Sequence, residues 1–292
     1  MTDLSFINKR ELQLHAQKWL PASEIKSSIL LLHGYAEYSW RYYKLIHELT
    51  EAGHAVYAFD YQGHGRSEGV RGGVGSFSEL TEDAAYFLQR VHSDHPDIPW
   101  LVMGHGLGSN IAVKLASVHS DIISGLILSA PAVNMDRIIP RVVQDVARNL
   151  ASVYSSMPVM RLDTRHISRD PEVVNGYKKD PLVYHGCLRA GMSRCMDEAA
   201  SETLRVLNRI TIPVWIGHGS KDSIHDPADS MIIINSIGSK DKTLKIFHNL
   251  YHEILNEPER IKVVTEITHW IEKRLGQFQH DNVYRSYGMQ TG

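Results

Sequence analysis

The chain is poor in cysteine and has no excess charge of either sign. Two of its 292 residues are cysteine, Cys187 and Cys195, too few for a disulfide framework or a cysteine-based zinc site. Lysine and arginine number 31 against 33 aspartates and glutamates, a formal net charge of −2. Without a basic excess, nucleic acid is a poor candidate partner. We expect two free thiols, with one local disulfide as the alternative.

Long apolar segments are also missing. No apolar run approaches the ~18–20 residues that a membrane-spanning helix needs. Near the start, Asp3 and the cluster Asn8–Arg10 interrupt any apolar segment of a secretory signal. Hydrophobic residues still make up 43% of the chain and charged residues 22%, values typical of globular proteins. We therefore expect one large or two ordinary domains and a cytoplasmic location.

Short apolar runs alternate with amphipathic stretches along the chain. Runs at 27–34, 54–60, 100–106, 124–131, 213–219 and 243–249 are each bounded by Gly, Pro or Asp. Continuous apolar runs of this length are typical of strands buried on both faces of a parallel sheet. The stretches between them have helical spacing, so the alternation predicts a doubly wound, mostly parallel α/β sheet. Residues 11–19 alternate with period two, which predicts an added antiparallel strand at the sheet edge.

The alternation breaks between about residues 133 and 208. Apolar residues from Ile138 to Val153 recur at helical spacing and predict one long amphipathic helix. An insertion of roughly 75 residues between two strands is far longer than an ordinary connection. It predicts a helical lid, 133–208, over a core formed by 1–132 and 209–292. Ligands of such sheets bind at the carboxyl ends of the strands, where the lid is inserted.

The loop Gly104–Ser109 follows one predicted strand and precedes a helix. This is the context of the G-x-S-x-G nucleophile elbow, but its central residue is Gly106. A dinucleotide fingerprint is the alternative, although its third glycine would fall at Ser109 and this is not the first βα unit. Ser109 lies in the first helical turn, so we expect it to point away from the site.

An acid and a base follow later strands. Asp222 comes after the run at 213–219, and His252 comes after the run at 243–249. The order of elbow, acid and histidine is that of α/β-hydrolases. In such sites a carboxylate orients an imidazole, which then accepts the proton of a hydroxyl group. The rival acids and bases are Asp226, Asp229, Asp241, His225 and His248.

Several further segments match one known family. They are His33-Gly34, Glu37–Ser39, Arg41-Tyr42, Phe59–Gly69, Arg71-Gly72, Gly104–Ser109, Asp180–Val183, Gly219–Asp222 and Tyr251–Glu253. From Leu12 to about Leu275 the chain resembles the α/β-hydrolases of the monoacylglycerol lipase (lysophospholipase) family. Together these segments are specific, whereas the glycine-rich loop alone would be moderate evidence.

The resemblance implies a fold, a site and a substrate. It implies the α/β-hydrolase fold with a helical lid over an apolar acyl tunnel. Asp222 is then the triad acid, His252 the triad base, and the backbone amides of Tyr35 and Leu107 the oxyanion hole. The implied substrate is a monoacylglycerol or a related acyl ester, and no metal or organic cofactor is needed.

Gly106 departs from the family pattern, which has serine at this position. Without a hydroxyl group there is nothing for His252 to activate and no acyl-enzyme can form. Three interpretations stay open: a hydrolase whose nucleophile has been replaced, a relative that binds ligands without turnover, and a catalyst that works without a serine nucleophile.

The apolar face of the predicted lid helix also has two interpretations. It either covers the pocket or makes transient contact with a membrane surface. The polar residues Arg141, Asp145 and Arg148 do not form a strongly basic face, which favours burial. The apolar residues concerned are Ile138, Ile139, Val142, Val143 and Val146.

Overall fold

The computed structural model describes residues 1–136, 139–151, 154–161 and 163–278. Ile138 and Val153 of the predicted lid helix lie outside the described residues. The strands are β1 (Thr2–Ile7), β2 (Gln13–Trp19), β3 (Ser27–Leu32), β4 (His54–Phe59), β5 (Trp100–His105), β6 (Ile123–Ser129), β7 (Pro158–Met160), β8 (Leu188–Arg189), β9 (Val214–Gly219) and β10 (Lys242–Phe247). The α-helices are α1 (Tyr43–Glu51), α2 (Phe77–His92), α3 (Leu107–Val118), α4 (Arg141–Ala151), α5 (Pro171–Lys179), α6 (Ala190–Val206), α7 (Pro227–Ser236) and α8 (Arg260–Glu272).

Eight of the described strands form one sheet, in the order β1-β2-β4-β3-β5-β6-β9-β10. All neighbouring pairs from β4 to β10 are parallel, and β1 and β2 are antiparallel additions. The six predicted apolar runs coincide with β3, β4, β5, β6, β9 and β10. The predicted mostly parallel α/β sheet is therefore confirmed.

Helices cover both faces of the sheet. Side chains of a strand alternate between the faces, so Leu30 packs in the layer that contains α2 and α3, whereas Ile29 and Leu31 pack in the layer that contains α1 and α8. Each layer buries apolar side chains almost completely. This sandwich holds the carboxyl ends of the parallel strands at one edge of the sheet.

Two strand predictions were wrong in detail. Strand β2 is not at the edge, because β1 pairs with it on the outer side, from Thr2 with Lys18 to Ile7 with Gln13. Strand β10 is not buried on both faces: it closes the other edge, and its side chains are exposed or half-buried. An edge strand has only one neighbouring strand, so its side chains are less completely buried than those of a central strand.

The segment between β6 and β9 is not purely helical. It contains α4, α5 and α6, but also the short antiparallel pair β7–β8. The sequence predicted only helices in this segment, because strands of two or three residues leave no alternating pattern. Helix α6 packs against α3, the core helix that follows β5.

Both cysteines are free thiols, Cys187 half-buried and Cys195 buried, as expected. Within the described residues, no helix combines the length and the apolar character required to cross a membrane.

Candidate active site

A sharp turn between β5 and α3 carries Gly106. Its backbone has φ 53° and ψ −120°, a conformation that side chains disfavour and that costs ~1–3 kcal/mol in other residues. The neighbouring glycines permit close packing, since a Cβ at Gly104 would lie 2.2 Å from the carbonyl oxygen of Gly108. The strand–turn–helix geometry is that of a nucleophile elbow, but Gly106 has no side chain to supply a nucleophile.

The hydroxyl group of Ser109 does not face this turn. It donates to the carbonyl oxygen of Gly104 at 2.8 Å, and the carbonyl oxygen of Ser129 lies 3.1 Å away. The side chain is completely buried. Ser109 therefore points away from the site, as the sequence predicted.

His252 and Asp222 are brought together across 30 residues of chain. His252 donates through Nδ1 to Oδ2 of Asp222 at 2.8 Å. The other oxygen, Oδ1, accepts the backbone amides of Ile224 at 2.8 Å and His225 at 3.0 Å. This arrangement fixes the carboxylate and makes Nε2 of a neutral His252 the free acceptor.

Asp222 and His252 each stabilise the charged form of the other. Burial alone would raise the pKa of Asp222, but nearby His252 and hydrogen bonds from two histidines hold it well below its ordinary value. Burial alone would lower the pKa of His252, yet the charge and hydrogen bond of Asp222 raise it. A carboxylate beside a strengthened imidazole base is the pairing that proton transfer requires.

The second of those two histidines is His218, which sequence analysis did not single out. Its Nε2 donates to Oδ2 of Asp222 at 3.1 Å, while Nδ1 accepts from the hydroxyl group of Ser230 at 2.7 Å. His218 lies within β9 and is fully buried. The sequence did contain a signal for this role: His218 lies inside an otherwise apolar run, and a buried polar side chain needs a hydrogen-bond partner.

The rival residues have other roles. Asp226 caps α7, Asp229 accepts the amides of Val133 and Asn134, and Asp241 pairs with Arg274. His248 is exposed in the turn after β10. His225 lines the same cavity as His252, but its Nδ1 donates to the carbonyl oxygen of Ala130 at 2.6 Å.

The loop after β3 is held against Gly106. Nε2 of His33 accepts the amide of Tyr61 at 3.0 Å, and its Nδ1 donates to the carbonyl oxygen of Gly34 at 2.7 Å. Burial lowers the pKa of His33 to about 4, so the ring is neutral and keeps these roles. Tyr35 follows directly, and the Cα of Gly34 lies 3.9 Å from the ideal Cβ position of residue 106.

Leu107 supplies the facing backbone. It is the first residue of α3, and the first amides of a helix have no acceptor within it. Helix N-termini also attract negative charge. The two positions expected to form an oxyanion hole, Tyr35 and Leu107, thus both line the cavity beside Gly106.

A buried ion network ties these loops together. Glu37 accepts the amide of Gly34 at 2.7 Å and the Nε of Arg41 at 3.1 Å. The Nη2 of Arg41 also contacts both carboxylate oxygens of Glu253, at 2.7 and 2.6 Å, and its guanidinium lies 4.5 Å from the ring centre of Tyr177. The loops beside Gly106 and His252 are therefore coupled through one arginine.

A cavity of about 520 Å³ opens beside Gly106, within the range of small-molecule sites. Within the described part of the chain, no group of three or more His, Cys, Asp or Glu side chains is placed to hold a metal ion. The apolar lining of the cavity comes from both the core and the inserted segment: Leu107, Ala132, Met135, Met160, Ile167, Met196 and Ile224.

The parallel sheet, the glycine turn after β5 and the carboxylate–histidine pair define the class of α/β-hydrolases. The chain belongs to the family described as Serine aminopeptidase, S33, whose model matches residues 23–259.

Several similar proteins are monoacylglycerol or monoglyceride lipases. A monoacylglycerol lipase of Mycolicibacterium smegmatis is 37% identical over 257 residues, 88% of this chain and 92% of that protein. The monoglyceride lipase of Mus musculus is 30% identical over 90% of this chain and 88% of that protein. The crystal structure of the Paleococcus ferrophilus monoacylglycerol lipase superposes with a TM-score of 0.80 at 30% identity, covering 88% of this chain and 98% of that one.

Proposed function

We propose that this chain is a carboxylic ester hydrolase of the monoacylglycerol lipase type in a form that lacks the nucleophile. Asp222 is the acid and His252 the base of the triad. Gly106 stands at the nucleophile position, and the amides of Tyr35 and Leu107 form the oxyanion hole. One observation carries the proposal: Nε2 of His252 lies 3.8 Å from the ideal Cβ position of residue 106, while its Nδ1 is hydrogen-bonded to Asp222.

The cavity supports an acyl ester as ligand. Its apolar side chains suit a fatty acyl chain, while Thr164 and Lys178 add polar groups to its lining. A monoacylglycerol combines these two characters in one molecule. The names of the relatives, monoacylglycerol and monoglyceride lipases, support the same substrate class.

With serine at position 106, the reaction would follow the usual acyl-enzyme route. His252 would remove the hydroxyl proton, the oxyanion amides would hold the tetrahedral intermediate, and water would release the acyl group. Gly106 prevents the covalent step. The glycine also supports a second candidate, a receptor that uses the same cavity to bind an acyl ester without turnover.

We also propose that residues 133–208 act as the lid of this cavity and make transient contact with lipid surfaces. Met135, Met160 and Met196 line the cavity. On α4, by contrast, Val142 is 75% exposed and Val146 is 47% exposed. Sequence analysis favoured burial of the apolar face of the lid helix. Ile139 is buried, whereas these two valines are exposed.

Gly106→Ser tests the proposed function directly. We expect hydrolysis of a medium-chain monoacylglycerol or p-nitrophenyl ester to rise by several orders of magnitude, because losing a triad nucleophile costs on the order of 10⁶ in turnover. The Ser variant should also be labelled covalently by a fluorophosphonate probe. The unchanged chain should bind the ester but take no label.

Gly106→Ala is the matched control. It adds the same Cβ and the same backbone strain as serine, but no hydroxyl group, so it should show no gain in hydrolysis and remain unlabelled. A Gly106→Ser protein that folds, as judged by thermal melting, and yet stays inactive contradicts the hydrolase proposal and favours the receptor. Ordinary enzymatic rates in the unchanged chain would contradict the assignment of Gly106.

A further inference from the structure

His225 is a neutral imidazole beside the position of the triad nucleophile. The carbonyl oxygen of Ala130 can only accept, so the 2.6 Å contact places a proton on Nδ1 of His225. Burial lowers the pKa of His225 to about 3, which keeps the ring uncharged at neutral pH. Its Nε2 is consequently a hydrogen-bond acceptor. Ala130 has φ 47°, a positive value rare for residues with a side chain.

Two such acceptors border the same small space. The ideal Cβ position of residue 106 lies 3.5 Å from Cε1 of His225 and 3.8 Å from Nε2 of His252. In His225, Nε2 is bonded to Cε1 and therefore lies on the edge of the ring that borders residue 106. The two ring centres are 4.6 Å apart, and the rings are inclined at 72°. We call the space bounded by His225, His252 and Gly34 the Gly106 niche.

The Gly106 niche has the size and chemistry of a water site. A water molecule has a volume of about 30 Å³ in the liquid and needs at least two polar partners when it is bound, and the hydroxymethyl group that serine would place here is about as large. Above the raised pKa of His252 both rings are neutral, and two acceptors suit the two hydrogens of water better than the single hydrogen of a serine hydroxyl. The amides of the expected oxyanion hole lie on the adjoining wall of the cavity, where an acyl carbonyl would be held.

We propose that the Gly106 niche binds a water that attacks the ester directly, with His225 as the residue that positions it. The proposal rests on the proposed function, because it needs an acyl ester in the cavity. Water donates one hydrogen to Nε2 of His252 and the other to Nε2 of His225, leaving a lone pair for the acyl carbon. The chain is then a slow, serine-independent esterase.

The reaction balances without a covalent intermediate. The water oxygen bonds to the acyl carbon, and one water proton moves to Nε2 of His252. The oxyanion amides hold the negative oxygen of the tetrahedral intermediate. The bond from the acyl carbon to the glycerol oxygen then breaks, and His252 returns the proton to that oxygen. The products are a fatty acid and glycerol.

The test measures glycerol release from a medium-chain monoacylglycerol by the unchanged chain and its variants. We expect a slow rate above the uncatalysed reaction, reduced about 100-fold by His252→Gln, because a positioned general base contributes roughly 10²–10⁴. Gly106→Ala should fall to the same level, since its methyl group enters the niche. Gly106→Ala thus gives the opposite result to Gly106→Ser, although both add a Cβ.

His225→Phe separates positioning from structural support. It keeps an aromatic ring but removes the acceptor, and we expect it to reduce the residual rate of the unchanged chain about tenfold or more. In the Gly106→Ser background the same change should reduce turnover by a smaller factor, since the serine hydroxyl is activated by His252 and does not need the second acceptor. A structural role for His225 would lower the rate equally in both backgrounds. Thermal melting identifies any variant that fails to fold.

The outcomes are distinguishable. If Gly106→Ser is active but the unchanged chain has no residual rate, or if Gly106→Ala and His225→Phe leave that rate unchanged, the water site is wrong and the proposed function stands. An equal loss in both backgrounds on His225→Phe also overturns the positioning role. If folded Gly106→Ser is inactive, the proposed function itself fails.

Discussion

Three histidines whose pKa values are shifted in different directions lie beside Gly106. The ring centres of His105 and His225 each lie 4.6 Å from that of His252. Burial lowers the pKa of His105 and of His225, whereas contact with Asp222 raises that of His252. His252, whose ring is hydrogen-bonded to Asp222, is thus distinguished from His105 and His225 by the partner of its ring rather than by its burial.

The opposite pKa shifts can be measured by NMR titration of the imidazole signals. We expect His252 to titrate above the ordinary histidine range, and Asp222→Asn to lower its pKa by removing the carboxylate that raises it. His225 should stay neutral down to about pH 4, since its pKa is about 3. In Gly106→Ser, activity needs neutral His252, so it should fall as the pH drops through the raised pKa.

His252→Gln is the control that assigns the signal among the 17 histidines. A His252 that titrates at or below the ordinary range contradicts the charge pairing. A titration that is unchanged in Asp222→Asn contradicts it as well.

At the scale of elements, the site depends on how closely α3 approaches β3 and β5. A Cβ at Gly108 would lie 2.2 Å from the carbonyl oxygen of Leu32 and 2.6 Å from that of His33. These are backbone atoms of a buried strand end and cannot yield as a flexible side chain would. The glycine therefore sets the position of the helix whose first residue, Leu107, lines the cavity.

Gly108→Ala should consequently destabilise the protein by about 1–3 kcal/mol or more, as overpacking does. Gly176→Ala is the matched control, because a Cβ at Gly176 in α5 meets nothing within 4 Å. It should be neutral or stabilising by up to ~1 kcal/mol, since alanine favours helices over glycine. Urea unfolding measures both free energies. Equal effects of the two changes would show that close packing at Gly108 is unimportant.

The position of the elbow was predictable from a strand run, glycines and a helical pattern that are continuous in sequence. The short strands β7 and β8 were not, because two or three residues show no periodicity. Strand β1 was missed for a different reason: its side chains are mostly exposed, so the apolar signal of a buried strand is weak there.

At the scale of the whole molecule, the inserted segment combines a cavity wall with an exposed apolar surface. Val142 and Val146 lie one helical turn apart on α4, and both are exposed. Because α6 packs against α4 and α3, this surface is supported by the hydrolase core.

Changing both valines to serine should weaken binding to phospholipid vesicles and leave the melting temperature nearly unchanged, since little buried apolar area is lost. Vesicle flotation measures the binding. Val118→Ser is the matched control: Val118 is 59% exposed and ends α3, about 17 Å from its start at ~1.5 Å per residue. If the double variant binds vesicles as well as the control does, α4 is not the contact surface.

The sequence by itself determined the parallel core of the sheet, the glycine elbow and the order of acid and histidine. These depend on apolar runs and turn residues that are neighbours along the chain. Only the tertiary structure placed His218 on Asp222, His225 beside Gly106, and Glu253 on Arg41. Arg41 and Glu253 are 212 residues apart, and a local sequence pattern does not predict which distant polar groups come into contact. Burial made the pairing necessary, since a charge removed from water needs a partner, and the fold decided which partner it is.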